Sequence, residues 1–414
     1  MTDLNYIVLD VETNIKNQGE HAVGNFKASP FFFDNHIVLL GAIHSEVPQG
    51  EVVNGPKYAN DCFSSKFPFY DHITEDTIWV GHNIGFDLQY IMKDYPHLKH
   101  IVERAWIWDT MIAEYLLSGQ EDTFVKLDTV SERYGGTLKD EKIKEYWNAN
   151  VDTADIPRDE LTEYLEHDVL NTEKVFVGQM EKAYSLGMLP LLRAQMDARL
   201  ATVMMERHGM HIDVGGLHHA GEILKADING IEEDIIKVME PWFDLPKGHR
   251  LNISPGSAVQ LAAFLWGGEL TYNIPVAQMD QFGELIKYKT GARKGEVKTK
   301  VEKQSKSIKP FIPVQPTSFG AVMGKKGTYS TDEAVLRSIS KNQYASLPAD
   351  VIIVVDKLLE VRRLSKDYSA FYKGMGELVW PDGCIHPTYN HVATATGRLS
   401  CSKPNLQQVS GKDS

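Results

Sequence analysis

The chain has 414 residues, 43% of them hydrophobic and 24% charged, with a formal net charge of -13. That composition suits an ordinary globular protein, and the length allows roughly two to three domains. Cys62, Cys384 and Cys401 are scattered and form no C-x-x-C pair, which excludes a legible zinc site and points to a reducing compartment. No apolar run approaches the roughly 20 residues that span a bilayer, and the N-terminus enters a strand pattern at Tyr6 rather than a signal peptide, so a cytoplasmic protein with no membrane partner is expected.

Charge divides the chain. Residues 1–180 hold 14 Lys+Arg against 31 Asp+Glu, and residues 181–414 hold 29 against 25. In chain order, Tyr6–Leu9 and Ile37–Ile43 are short β-rich runs, and Ile78-Trp79-Val80-Gly81 passes into a helical pattern from Phe86 to Lys93. Thr110–Leu117 has helical periodicity, and Asp159–Lys182 reads as a long helix started by Pro157. After Leu189-Pro190, long helices dominate: Leu191–His208, which Gly209 ends, then Leu217–Met239, and a third from Asn252 to Trp266 whose start is set by Asn252-Ile253-Ser254-Pro255. Residues 287–327 break this pattern with nine cations between Lys287 and Lys309 against Glu296 and Glu302, which predicts either a loop or a β-ribbon excursion. Helices resume at Asp332–Ser340 and Asp350–Tyr372.

Three acidic motifs stand out. Asp10-Val11-Glu12 closes the first strand, where residues i and i+2 face the same way. Asp87, in Asn83-Ile84-Gly85-Phe86-Asp87, falls in the first turn of a helix that follows a strand. Tyr164 and Asp168 are an i, i+4 pair on the long helix. Each motif alone also reads as an ordinary feature: strand-end acids, a helix-capping aspartate, or an exposed Asp beside a packed Tyr. Together they put four carboxylates into one compact domain, a set whose mutual repulsion calls for cations, and hard oxygen ligands suit Mg2+, with Mn2+ as a substitute, rather than zinc.

The segments Asp10–Glu12, Asn83–Asp87 and Tyr164–Asp168 resemble the three motifs of DEDDy-type 3′-5′ exonucleases. The resemblance covers residues 1 to about 180 and implies an α/β exonuclease domain of RNase H-like (DnaQ-like) fold. It implies metal ligation by Asp10, Glu12, Asp87 and Asp168, with Asp10 bridging two ions about 4 Å apart, Glu12 and Asp168 completing the first, Asp87 supporting the second, and Tyr164 orienting the attacking water. Asn83 and Phe86 are the expected contacts to the single-stranded DNA 3′ end.

Further on, Thr394-Ala395-Thr396-Gly397-Arg398-Leu399-Ser400 and Pro404-Asn405-Leu406-Gln407 closely resemble the motif at the base of the palm in family A DNA polymerases. Met205–Asp213, Asn252–Leu265 and Leu358–Tyr372 resemble the thumb of that family. Thr396, Arg398, Asn405 and Gln407 are thereby expected at the primer-template, as are Arg362, Arg363 and Lys366 along its backbone. The implied plan is an exonuclease domain over 1–185, a mainly helical thumb over 186–372 carrying the basic stretch 287–327, and the start of a palm over 373–414. The family's nucleotide-binding helix and polymerising aspartates do not occur up to Ser414. The expectation is therefore a truncated or split proofreading half that does not polymerise alone, with a second chain supplying fingers and palm, in a nucleoid or phage replisome. Two other readings stay open: a stand-alone DEDD-type ribonuclease, and a non-catalytic DNA-binding or assembly subunit.

Overall fold

In the computed structural model, which describes residues 4–15, 28–56, 66–137, 142–324, 327–341 and 347–409, the first apolar run forms β1 (Tyr6–Thr13). Ile7, Val8 and Leu9 are all buried, so the strand is covered on both faces, as a continuous apolar run requires. The strand runs on through Asp10-Val11-Glu12 instead of closing there. Antiparallel β2 (Ile37–His44) and then β3 (Val47–Asn54) extend the sheet on one side. Parallel β4 (Ile78–Gly81) and β5 (Trp106–Asp109) extend it on the other, giving the order β3-β2-β1-β4-β5.

The helices that follow are α1 (Gly85–Asp94), α2 (Lys99–Val102), α3 (Thr110–Leu117), α4 (Leu127–Arg133), α5 (Lys142–Asn148), α6 (Arg158–Ser185) and α7 (Leu189–His208). Gly209, at φ 65°, stops α7 as its sequence predicts, and β6 (Met210–His211) follows. One core joins Trp79 and Trp108 of the sheet, Phe176 of α6, and Leu192, Met196 and Val203 of α7. No packing boundary therefore falls near residue 185, because α7 buries its apolar face in the core of the five-stranded sheet. Contacts divide the chain instead into Met1–Val214 with Gly374–Ser414, and Gly215–Lys373.

The second unit holds most of α8 (Val214–Phe243), with α9 (Ala258–Trp266), β7 (Gly268–Ala277), β8 (Thr299–Ile308), α10 (Glu333–Ser340) and α11 (Ala349–Asp367). Its core is built by Ile235 and Phe243, Leu261 and Phe264, Leu336, and Val354 and Leu358. Helix α9 starts later than expected. Ser257 is its cap, while Gln260 pins the preceding Asn252–Ser254 turn by donating to Asn252 O at 2.9 Å and accepting from Ser254 N at 3.0 Å. Helix α11 ends at Asp367 and passes into a π-helical turn, Tyr368–Lys373. Of the two forms predicted for the lysine-rich stretch, the ribbon is the one found: β7 and β8 pair from Gly268↔Ile308 to Ala277↔Thr299.

The C-terminal segment folds within the first unit. Its β9 (Cys384–Ile385) pairs with β6, and β10 (Thr388–Asn390) pairs with β11 (Ser400–Ser402). Among the described residues, no helix is long and apolar enough to cross a membrane.

Candidate active site

Strand β1 puts Asp10 and Glu12 on the same face of the sheet. The cross-strand neighbour of Asp10 is Gly41 on β2. A Cβ at Gly41 would lie 2.9 Å from both Leu165 Cγ and Val169 Cγ2 of α6, so the glycine lets that helix settle onto the sheet. Settled there, α6 delivers Asp168. Carboxylate oxygens of Asp10, Glu12 and Asp168 lie within 4.8 Å of one another. Glu12 is 8% exposed and Asp168 5%, while Asp10 is half-buried.

Asp87 arrives from the other side, as the third residue of α1. The turn that launches α1 is fixed by Asp109, a fully buried residue at the end of β5. Its Oδ1 accepts from Asn83 N at 3.0 Å, holding Asn83 at φ 59°, and from Met111 N at 3.0 Å, capping α3. A Cβ at Gly85 would sit 1.8 Å from the Arg199 guanidinium, so this turn also needs a glycine. Pairing of β1 with β4 stops at Val8↔Val80. Further along β1, the Val11 N–H donates to Asp87 Oδ1 at 3.1 Å, which places that carboxylate against the strand segment between Asp10 and Glu12. Burial first, and then the negative charge of Asp10, push the Asp87 acid well above the usual carboxyl range, while the Val11 bond pulls the other way. Like charges gathered at this depth, all on oxygen donors, fit a divalent cation. Tyr164 lies one turn before Asp168 on α6, half-buried, with its ring edge-on to Trp147 of α5 at 5.7 Å.

A 3'-5' exonuclease model matches residues 59–181, which takes in Asp87, Tyr164 and Asp168, and a DNA polymerase family A model matches residues 311–414. The chain joins a 3'-5' exonuclease domain to a family A DNA polymerase segment. Exonuclease domains of this kind use divalent metals. The DNA polymerase of Bacillus phage SP01 is 24% identical over 82% of this chain, and DNA polymerase I of Bacillus subtilis is 24% identical over 73%. The thermostable DNA polymerase I of Thermus aquaticus is 37% identical over 20% of the chain. The chain spans 34%, 27% and 9% of the lengths of these three relatives. A solved structure of the POL domain of Pol1 from M. smegmatis, in complex with DNA primer-template and dNTP, has a TM-score of 0.57 at 17% identity. That alignment covers 98% of this chain and 52% of the other, and it speaks to fold.

The polymerase segment is tied to the exonuclease domain by contacts that the sequence did not reveal. Arg199 and Glu206, both on α7 and both with side chains 7% exposed, pair at 3.2 Å. The same Glu206 oxygen accepts from Tyr389 N at 2.8 Å, and Glu206 O binds His386 Nδ1 at 2.7 Å. His391 Nε2 meets Thr202 Oγ1 at 2.9 Å, and Tyr115 of α3 donates to Thr394 O at 2.7 Å. A cavity of about 440 Å³ lies at this junction, lined by Asn83, Asp109, Lys126, Arg199, Tyr389 and His391 among others. None of the four carboxylates lines it.

The expected DNA-contact residues are less uniform. Asn83 is exposed, and Phe86 is half-buried with its ring 5.1 Å from Tyr90. Thr396 and Arg398 are exposed on a turn braced by Thr394, whose Oγ1 accepts from Arg398 N at 3.1 Å. Asn405 accepts from Gln407 N at 3.1 Å, and Gln407 Nε2 donates to Leu399 O at 3.0 Å, so both amides hold the turn itself. Arg362 donates to Thr331 O at 2.6 Å and is half-buried, which gives it a bracing role inside the second unit, and burial lowers its pKa. Arg363 and Lys366 are exposed.

Proposed function

We propose that the exonuclease domain, of RNase H-like fold, hydrolyses DNA from its 3′ end in a metal-dependent reaction, as the proofreading part of a family A DNA polymerase. The observation that carries this reading is the convergence of Asp10, Glu12 and Asp168 within 4.8 Å, with Asp87 fastened to the same strand through Val11.

In this reading Asp10, Glu12, Asp87 and Asp168 hold two Mg2+ ions, or Mn2+ in their place. Bound there, the ions supply charge neutralisation at the scissile phosphate and acidify water. The chain's own residues do the rest. Burial and the charge of Asp10 favour the protonated form of Asp87, a bias that a bound cation would oppose. Tyr164, held by Trp147, orients the attacking water from the helical turn that precedes Asp168. Asn83 and Phe86 receive the terminal nucleotide. Thr396, Arg398, Asn405 and Gln407 border the primer-template, with Arg363 and Lys366 along its backbone, and Arg362 supports them from within.

The test is digestion of a 5′-labelled primer-template carrying a 3′ mismatch, with Mg2+, and of an RNA strand of the same sequence. Stepwise shortening of DNA, lost in Asp10→Ala while its circular dichroism and melting stay those of the parent, is the expected result. Metal-dependent shortening that survives Asp10→Ala sinks the assignment. Preferential digestion of the RNA strand replaces it with a ribonuclease.

A further inference from the structure

The β7–β8 ribbon lies between the two stretches matched by family models, which end at residue 181 and begin at residue 311. Its strands have ten residues each, and at about 3.3 Å per residue the paired part is roughly 30 Å long. Pairing continues past Ala277, where Gln278 N donates to Lys298 O at 2.8 Å, and the chain then forms two small hairpins closed by the bridges Met279↔Leu285 and Lys287↔Val297. The lysine-rich sequence is thus carried on hydrogen-bonded backbone that gives its cations defined positions.

Those cations are in excess locally. Residues 287–309 hold eight lysines and Arg293 against Glu296 and Glu302. Both acids are taken: Glu296 by Arg293 at 2.7 Å and Glu302 by Lys300 at 2.7 Å. Lys306 pairs with Asp244 at 2.8 Å. Lys287, Lys289, Lys294, Lys303 and Lys309 are exposed and make no ion pair among the described residues. At the first hairpin Phe282 is 81% exposed, with Asp280 Oδ1 accepting from Phe282 N and Glu284 N at 2.9 Å each.

We propose that this ribbon is an arm that lies along the phosphate backbone of double-stranded DNA; the choice of DNA rests on the functional reading above. Charge selects a polyanion, because these lysines repel one another and make no ion pair among the described residues, with Glu269, Asp280 and Glu284 the other acids of the ribbon. The duplex is favoured over a single strand by two features. Cations occupy both faces of the ribbon, since Lys303 opposite Asn273 and Lys300 opposite Val276 project in opposite directions. Phe282 is a lone exposed ring at the hairpin, where single-strand grooves use successive aromatic platforms. Lysine outnumbers arginine eight to one here, and a point charge suits the backbone better than bidentate reading of base edges.

Counterion release makes the test quantitative, because each phosphate contact contributes about 0.9 to the slope of log affinity against log salt. The full chain is titrated with a blunt-ended duplex in chelator, so that nothing is digested, across a series of salt concentrations. Lys287→Gln/Lys289→Gln/Lys294→Gln/Lys303→Gln is expected to lower the slope by about 3 to 4. Lys174→Gln/Lys225→Gln/Lys247→Gln/Lys341→Gln, four exposed lysines elsewhere, is expected to lower it by less than about 1. Mg2+-dependent digestion of a short single strand by the ribbon variant should equal that of the parent. An unchanged slope overturns the duplex assignment and turns the same cations toward an acidic protein surface. An equal fall in the control set overturns it too. In either case intact digestion keeps the exonuclease reading standing, whereas loss of that reading would be seen in the Asp10→Ala comparison alone.

Discussion

Glu206→Ala should cut the polymerase segment loose from the exonuclease domain. Its carboxylate is buried and accepts from Arg199 at 3.2 Å and from Tyr389 N at 2.8 Å. Truncation leaves a buried guanidinium without its counter-charge and a backbone amide without its acceptor. Breaking a buried pair from one side costs about 3–5 kcal/mol, and a unit of this size melts about 2–4 °C lower per kcal/mol, so the midpoint should fall by roughly 10 °C. Urea unfolding measures the free energy, and limited proteolysis over 374–409 reports whether that segment has loosened. Arg199→Met/Glu206→Leu removes both charges together and should recover most of the loss, because the single variant is penalised for the stranded partner. A cost below about 1 kcal/mol for Glu206→Ala, or a double variant as unstable as the single one, refutes the argument.

Asp87→Asn should stabilise the metal-free protein near neutral pH while abolishing digestion. The folded Asp87 acid titrates above its unfolded value, so the folded state holds a proton that the unfolded chain has lost, and stability without metal falls as pH rises through that interval. Melting in chelator at pH 5 and pH 8 shows it as a larger drop in the parent than in the variant. His391 has the opposite sign: burial, then Arg199, bring its pKa down from 6.5 to about 4. The unfolded chain therefore takes up a proton first, and stability present above pH 6.5 is lost as pH falls toward 4, by roughly 3 kcal/mol at the limit. In His391→Gln, urea unfolding at pH 7 and pH 4.5 should differ less than in the parent. Gly85→Ala would drive a methyl into a guanidinium that Glu206 holds in place. It should cost about 1–3 kcal/mol, and weaker Mg2+ binding by calorimetry would show that the Asp87 turn had moved.

The carboxylates were legible because each motif is short and local: two strand residues, the opening of a helix, and one helical turn. The central strand and the long helix were legible for the same reason, through Ile7-Val8-Leu9 and the Pro157 start. The contacts that position the site were not. Asp109 holds Asn83 from 26 residues away, and Glu206 holds Tyr389 across 183. Neither acid sits in a pattern that marks it as structural. Contacts divide the chain after Val214 and not near residue 185 for a related reason, since the apolar stripe of α7 looks the same whichever core it enters. Positive charge located the ribbon, but alternation of Lys, Ser and Gln in β8 hid its strand period, leaving loop and ribbon equally open. Arg362 shows the limit for single residues: beside Arg363 it reads as one more exposed cation, yet its guanidinium faces inward to Thr331 O.

The glycine at 41 gives the site a property that no carboxylate carries. It stands opposite Asp10, under Leu165 and Val169, and the helix above it is the one that brings Asp168. The close approach of that helix to the sheet thus depends on a missing methyl group on a neighbouring strand. Much of the surrounding apolar surface can change without touching this contact, but one added carbon there presses on the helix that carries Asp168 while leaving all four acids in the sequence. Whether a divergent sequence keeps these carboxylates converged is therefore a question to ask of position 41 as well as of its acids.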